Sequence, residues 1–246
     1  MSLIILSGGL DSTVALYKFR PKLAVSFNYG SKHNDIEISH AAISCEKLGI
    51  EHLVVNMRFL GSILKSDLLK SGGDIPEGHY AEPIMKRTVV PFRNGIMLSI
   101  ACGIAESSGL TEVIIGNHSG DHAVYPDCRD GFINAMENAM LKGTYAGIRL
   151  KSPFLNLTKT EITKLGIEIG VPFEDSYSCY NGEATHCGRC STCFERREAF
   201  YLTGFPDPTT YIDKTPIVEL IHEYTLLHAS SRTDGAVKED SSSDIT

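Results

Sequence analysis

The chain has 246 residues, 42% of them apolar and 22% charged, and a net charge of −7. At about 150 residues per domain this makes one to two domains with enough chain for a full core. That ordinary composition excludes disordered and collagen-like classes, and the membrane class is excluded because no apolar run reaches the roughly 18 residues of a span. An acidic chain also lacks the basic footprint of a general nucleic-acid binder, so a small substrate fits better than a polymer.

Met1 to Leu6 is apolar but short, and the first lysine is Lys18. No basic region precedes the apolar stretch, so it reads as something other than a signal peptide, and the expected compartment is the cytosol. Ser2–Leu6 reads as a buried strand, Ser7–Leu10 as a glycine-containing turn and Asp11–Phe19 as a helix. Lys22–Phe27 is a second strand, His33–Leu48 a helix stopped at Gly49, and Glu51–Asn56 a third strand. Residues 70–90 carry Gly72, Gly73, Pro76, Gly78 and Pro83 without a period. A loop of that length is either functional or a surface excursion. Arg93–Ser108 is helical, with Met97–Ala105 as its buried part, and Glu112–Gly116 is a strand.

His118–Arg129 is a polar loop at that strand's carboxyl end, where open α/β sheets bind ligands. Gly131–Leu141 is a helix and Gly147–Lys151 a strand. Thr158 and Glu161 form a capping box opening a helix to Ile169. Pro216–Leu227 reads as a last helix, and the Ser- and Asp-rich tail 230–246 as disordered. Strands alternating with helices predict an α/β fold around a parallel sheet. The expected division is an α/β domain at 1–170, a cysteine-rich and helical region at 171–229, and the tail.

Two motifs carry chemistry. The first is Leu6-Ser7-Gly8-Gly9-Leu10-Asp11-Ser12-Thr13, placed between strand and helix. Glycines there let backbone N–H groups converge on a phosphate, and the helix N-terminus adds positive potential. No Lys-Ser or Lys-Thr pair follows, so it is not a Walker A loop, and the G-x-G-x-x-G spacing is absent. Asp11 either orients the loop, holds Mg²⁺ or caps the helix.

The second motif holds Cys179, Cys187, Cys190 and Cys193, four of the seven cysteines. Four thiolates suit a closed structural Zn²⁺ site, with an iron–sulfur cluster as the rival. His186 is a poor substitute ligand because it adjoins Cys187. Arg189, Arg196 and Arg197 lie close by in sequence and can offset the cage's charge. Cys45 and Cys102 read as core residues. Cys128 sits in the polar loop, where a covalent role is open.

The glycine motif resembles the PP-loop of the adenine-nucleotide α-hydrolase superfamily. Together with FNYGSKH (27–33), VPFRN (90–94), YPDCR (125–129), LTKTEI (157–162) and the cysteine segment, it makes the chain similar to the QueC family of queuosine biosynthesis. The likeness runs from Leu3 to about Leu202. Phe92 stands where the family pattern carries glycine, and Ser31 where it carries glutamine.

The resemblance implies a Rossmann-like PP-loop fold with a small C-terminal zinc knuckle and helical region. It implies an ATP- and Mg²⁺-dependent ligase, cytoplasmic and homodimeric, that makes no direct contact with nucleic acid. Its substrates would be 7-carboxy-7-deazaguanine and ammonia. ATP would adenylate the carboxylate, ammonia would displace AMP to give the amide, and a second adenylation would leave the nitrile.

On this reading Leu6 to Thr13 hold the nucleotide, and Asp11, Lys159 and Arg93 are the catalytic candidates. Lys159 sits in a helix's first turn, where a cation is unfavourable unless an anion is near, which favours a role toward phosphate or the leaving AMP over a solvated lysine. Arg93 faces phosphate or AMP, or else pairs with an internal carboxylate. Asp121, Asp127, Arg129, Asp130 and His33 are the substrate-binding candidates. For Asp127 the competing role is a turn and helix cap. His118, Asp121 and His122 form a polar cluster better suited to lining a pocket than to holding a metal. Two other functions stay open: a PP-loop enzyme adenylating a different acceptor, and a zinc-knuckle binding module with a degenerate nucleotide site.

Overall fold

The computed structural model describes residues 1–79 and 83–225. Five strands form one parallel sheet: β1 (Ser2–Ile5), β2 (Leu23–Asn28), β3 (Glu51–Asn56), β4 (Glu112–Ile114) and β5 (Arg149–Lys151). Their spatial order is β3-β2-β1-β4-β5, so the winding reverses between β1 and β4. Leu3 pairs with Leu23 on one side and Val113 on the other. The helices are α1 (Leu10–Phe19), α2 (Asn34–Leu48), the single turn α3 (Leu60–Ile63), α4 (Arg93–Ser107), α5 (Asp130–Gly143), α6 (Lys159–Glu168) and α7 (Ser191–Thr203).

The unbroken apolar run of β1 has a direct cause. Alternate side chains enter opposite faces, and both faces are covered. Leu3, Val25, Val113 and Leu150 share a core with Leu98 and Ala101 of α4 and Ile133 of α5. Ile4, Leu6, Ala24 and Ile114 share a second core with Val14 of α1, Ala41 of α2 and Ile162 of α6. The α/β expectation therefore holds, and its boundaries move by a residue or two.

Three segments differ from expectation. Residues 191–203, read only as the end of the cysteine motif, form α7. The polar loop contains two 3-10 turns, Ser119–Ala123 and Pro126–Cys128. In the 70–90 segment a 3-10 turn forms at Pro83–Thr88 and a bridge joins Glu77 to Cys190. Residues 217–225 are helical, in line with the expected last helix. Leu227 and the tail 230–246 lie outside the described residues.

Averaged over a window, Ile84–Ser107 is long and apolar enough to cross a membrane, which a search for unbroken apolar runs overlooks. Half of that window is buried, and the stretch is broken ahead of Arg93 at Pro91 and Phe92. It is a core helix of the sheet with a turn in front.

Phe92 precedes α4 at φ 53°, in the left-handed region that costs a side chain about 1 kcal/mol. It is 60% exposed, and its ring meets Phe132 edge-on at 5.7 Å. Both Phe92→Gly and Phe92→Ala lose that contact, but only glycine relieves the backbone. Glycine is therefore expected to be the more stable by about 1 kcal/mol in urea unfolding, reversing the usual order for an exposed residue.

Candidate active site

The PP-loop leaves β1 at the switch point of the sheet, where parallel α/β folds open a crevice. Ser7 Oγ lies 2.9 Å from Ser12 Oγ, which donates to the Gly9 carbonyl at 3.1 Å. Ser7 Oγ also accepts the Gly9 N–H at 3.1 Å. This lattice fixes the loop before any ligand arrives. The first N–H to find a helical partner is that of Thr13, on the Gly9 carbonyl. The preceding first-turn N–H groups are the orphan donors of any helix start.

Gly8 is irreplaceable for two reasons. Its φ is +93°, and a Cβ there would lie 2.1 Å from the Glu37 carbonyl oxygen of α2. Gly8→Ala must push α2 away from the loop. It is expected to cost more than about 2 kcal/mol in stability and to abolish nucleotide binding, measured by urea unfolding and by ATP titration calorimetry.

α6 delivers Lys159 to this loop. Thr158 caps the helix as the sequence indicates, accepting the Glu161 N–H at 3.2 Å while Glu161 accepts the Thr158 N–H at 2.7 Å. Lys159 Nζ lies 2.6 Å from Asp11 Oδ2 and 3.3 Å from Glu195 Oε2. These are the anions a cation at a helix start requires. Burial opposes its charge, but the two carboxylates outweigh burial and hold its pKa above the ordinary lysine value.

Asp11 does not cap α1. Gly9 holds that position, with no side-chain bond. Burial raises the Asp11 pKa, but Lys159 and His118 more than offset this, so the carboxyl stays ionised. Its Oδ1 is buried and has no partner. An orphaned carboxylate oxygen beside a phosphate loop suits a hard cation such as Mg²⁺.

His118 closes this end. Its Nδ1 accepts the Gly120 N–H at 3.1 Å, so the ring proton sits on Nε2, 3.5 Å from Glu195 Oε1. Asp121 completes that cap by accepting the His118 N–H at 3.1 Å, and it lines the cavity.

The same cavity runs to an aromatic end walled by Tyr29, His33, Met85, Arg93, Tyr125 and Tyr180. Arg93 Nη1 donates to Tyr29 OH at 3.2 Å, and the Tyr125 and Tyr180 hydroxyls meet at 3.2 Å. Among the described residues no carboxylate lies within ion-pair distance of Arg93. A guanidinium bonded to a phenol and without an ion-pair partner is ready for a ligand anion. Cys128 also reaches this wall, but burial pushes its thiol far above the usual range, so it is no nucleophile.

Three of the substrate-binding candidates stand elsewhere. Asp127 is buried and accepts the Asn94 N–H at 2.8 Å, which fixes the start of α4 and so aims Arg93. The turn forms, but the helix that Asp127 bonds is the distant α4, not the α5 that follows it, which opens at Arg129 with no side-chain bond. Arg129 is exposed and donates Nε to the His122 carbonyl at 2.9 Å, and Asp130 is exposed at the first position of α5. None of the three lines the cavity.

The sequence reasoning missed Glu195 and Glu37, both in the cavity wall. Glu195 was hidden because α7 starts inside the cysteine motif. Glu37 was hidden because nothing local marks a lone glutamate on a helix.

The four cysteine sulfurs lie within 4.8 Å of one another, and no disulfide joins them. Cys187 and Cys193 Sγ are 3.9 Å apart. A tetrahedral ion with bonds of about 2.3 Å to sulfur puts its ligands roughly 3.8 Å apart, whereas a multi-iron cluster needs wider spacing. Backbone N–H groups of Cys187, Arg189 and Cys190 donate to these sulfurs at 3.3 to 3.5 Å, which favours thiolates. The donor set fits one zinc ion. His186 is not part of it, since its Nε2 accepts the Ser178 N–H at 3.0 Å.

The neighbouring arginine side chains serve other bonds. Arg196, fully buried, donates to Ser176 Oγ at 2.8 Å and the Phe173 carbonyl at 3.0 Å. Arg189 pairs with Asp213, and Arg197 with the carbonyls of Gly188 and Thr215.

The family model described as queuosine biosynthesis protein QueC matches residues 1–204. A 7-cyano-7-deazaguanine synthase of Porphyromonas gingivalis is 52% identical over 212 residues, 85% of this chain and 96% of that protein. One from Paracoccus denitrificans is 45% identical over 219 residues, 86% of this chain and 93% of that protein. A solved structure of NMN synthetase from Francisella tularensis aligns with 93% of this chain and 85% of its own, at 17% identity and a TM-score of 0.44.

Proposed function

Because the chain belongs to the QueC family of queuosine biosynthesis proteins, we propose that it converts 7-carboxy-7-deazaguanine and ammonia to 7-cyano-7-deazaguanine at the expense of ATP. The observation that carries this reading is one cavity with two anion-holding ends, the PP-loop with Lys159 and the aromatic chamber with Arg93. The relatives from P. gingivalis and P. denitrificans carry the name of that activity.

A carboxylate resists attack because its leaving group would be oxide. Transfer of AMP to that oxygen supplies a good leaving group. The Leu6–Thr13 loop holds the departing pyrophosphate with its N–H groups and the Ser7 and Ser12 hydroxyls. Lys159 neutralises charge that builds there, already oriented by Asp11 and Glu195, so little reorganisation accompanies the step. Mg²⁺, held by Asp11, would screen the phosphate charges. Arg93 holds the substrate carboxylate in line, and His33 and Asp121 line the path between the two ends. The amide then meets the same residues for its own adenylation.

The zinc knuckle is structural and sets the direction of α7. In this division residues 1–170 hold nucleotide and most of the substrate wall, and 171–229 supply the knuckle, Tyr180 and Glu195. The setting is cytoplasmic, where ATP is plentiful and thiols stay reduced. No nucleic acid takes part, and the homodimer follows from the family resemblance. Protein given ATP, Mg²⁺, ammonium and the acid should release the nitrile and two AMP per turnover by mass spectrometry. AMP without nitrile would point to another acceptor.

A further inference from the structure

One carboxylate in the cavity wall has no task in the scheme above. Glu37 lies in the first turn of α2 with its side chain 14% exposed. Gly8 lets α2 close onto the PP-loop, and this places Glu37 Oε1 4.0 Å from the position a Cβ on Gly9 would occupy. The titratable and charged groups facing it are His33, at the start of its own helix with Nε2 at 3.6 Å and kept neutral by burial, which with Arg93 pushes its pKa down to about 3, and Arg93 from α4. His33 in turn meets the Tyr29 hydroxyl at 3.4 Å and stacks at a tilt on Tyr180. Among the described residues no side chain hydrogen-bonds the Glu37 carboxylate. It stands between the phosphate loop and the arginine that faces the substrate carboxylate, where the reacting carbon must sit.

The chemistry requires a proton acceptor at that place. Nitrogen arrives as ammonia with three hydrogens and leaves as a nitrile with none. In the first half the C–N bond forms, the C–O bond to AMP breaks, and one proton leaves nitrogen. In the second half the adenylated amide loses two protons from nitrogen as the C–O bond to the second AMP breaks. Asp11 and Glu195 are occupied by Lys159.

We propose that Glu37 is the catalytic base that removes these protons. Each proton passes from Glu37 to solvent before the next is taken. This rests on the nitrile-forming reading. Burial, opposed in part by Arg93, moves the Glu37 carboxyl up to about 8, so it holds and releases protons near neutrality. The protonated form is inactive, so the nitrogen steps should accelerate as pH rises through that value.

The test uses the zinc-loaded full chain and its Glu37→Gln variant, with two readouts. The first is acid-dependent exchange of labelled pyrophosphate into ATP without ammonium, which reports adenylation alone. The second is amide and nitrile formation across pH at a fixed concentration of free ammonia. The variant is expected to lose about 100-fold in the second, together with its rising pH limb, and far less in the first. Equal losses in both, or an unchanged second rate, would overturn the proposal. Should Glu37→Gln melt well below the parent, Glu37→Asp takes its place and should be slow but keep the pH limb; loss of that limb would count against the proposal. A parent enzyme that shows no acid-dependent exchange would instead refute the nitrile-forming reading, and the proposal with it.

Discussion

Lys159→Met is expected to slow adenylation by about 10²–10³-fold, the usual cost of removing one preorganised donor from a developing charge. The lysine has no substitute in the cavity. Arg93, the other cation that matters here, lies at the far end among the tyrosines. The mutation also leaves Asp11 and Glu195 with only the His118 ring between them. A buried charge stripped of its partner costs about 3–5 kcal/mol. Both carboxylates border the cavity and can take up protons or water, so the stability loss should fall below that range. Lys159→Arg keeps the charge but is too broad for a nitrogen held 2.6 Å from Asp11 and 3.3 Å from Glu195, so it should recover only part of the rate. Acid-dependent pyrophosphate exchange measures the rate, and thermal melting the stability. A Lys159→Met variant within a few-fold of the parent would remove Lys159 from the phosphate end.

Cys193→Ser is expected to empty the metal site and to reduce turnover by more than about 100-fold. Cys193 lies in the first turn of α7, with Cys190 as the residue before it. Glu195 and Arg196 follow after Phe194. Metal in a four-thiolate cage contributes on the order of 10 kcal/mol, comparable to the stability of a whole domain. Without it the start of α7 is free, Glu195 leaves Lys159, and Arg196 leaves Ser176 and Phe173. The sheet has its own cores and should stay folded. Elemental analysis should find zinc near one per chain in the parent and little in the variant, with far-UV circular dichroism largely kept. Cys128→Ser should retain its zinc, because that sulfur belongs to the wall beside Asn94. Full metal content in Cys193→Ser would contradict the four-cysteine assignment.

Much of this arrangement is legible along the chain because it depends on local rules. The strand–glycine–helix order of Leu3 to Phe19 places the PP-loop, and Thr158 with Glu161 marks the start of α6. The spacing of the four cysteines anticipates the cage. The unfavourable placement of Lys159 in a first helical turn is itself a signal; it points to a ligand anion, and the structure adds two protein carboxylates, Asp11 and Glu195, that no local pattern announces.

What stayed hidden depends on distance in sequence. Asp11 and Lys159 are 148 residues apart, and no periodic pattern links them. Glu195 reads as one charge among several in FERREAF, where Arg196 looks like a counter-ion for sulfur. Its burial and bonds to Ser176 and Phe173 become evident only once α7 is folded. Asp127 and Arg129 drew attention because they sit in a distinctive block at a strand's carboxyl end. That block works mainly through backbone caps, while Tyr125 and Cys128 reach the cavity. Glu37 differs from any other helix glutamate only because Gly8 lets its helix approach the loop.

The central claim is that one carbon is adenylated twice in one cavity. It is tested most directly by supplying the acid with both carboxylate oxygens isotopically labelled, together with ATP and labelled ammonium. The account predicts a nitrile carrying the ammonium label, with one labelled oxygen in each of the two AMP molecules released. Label in phosphate or pyrophosphate, or AMP without labelled oxygen, would contradict it.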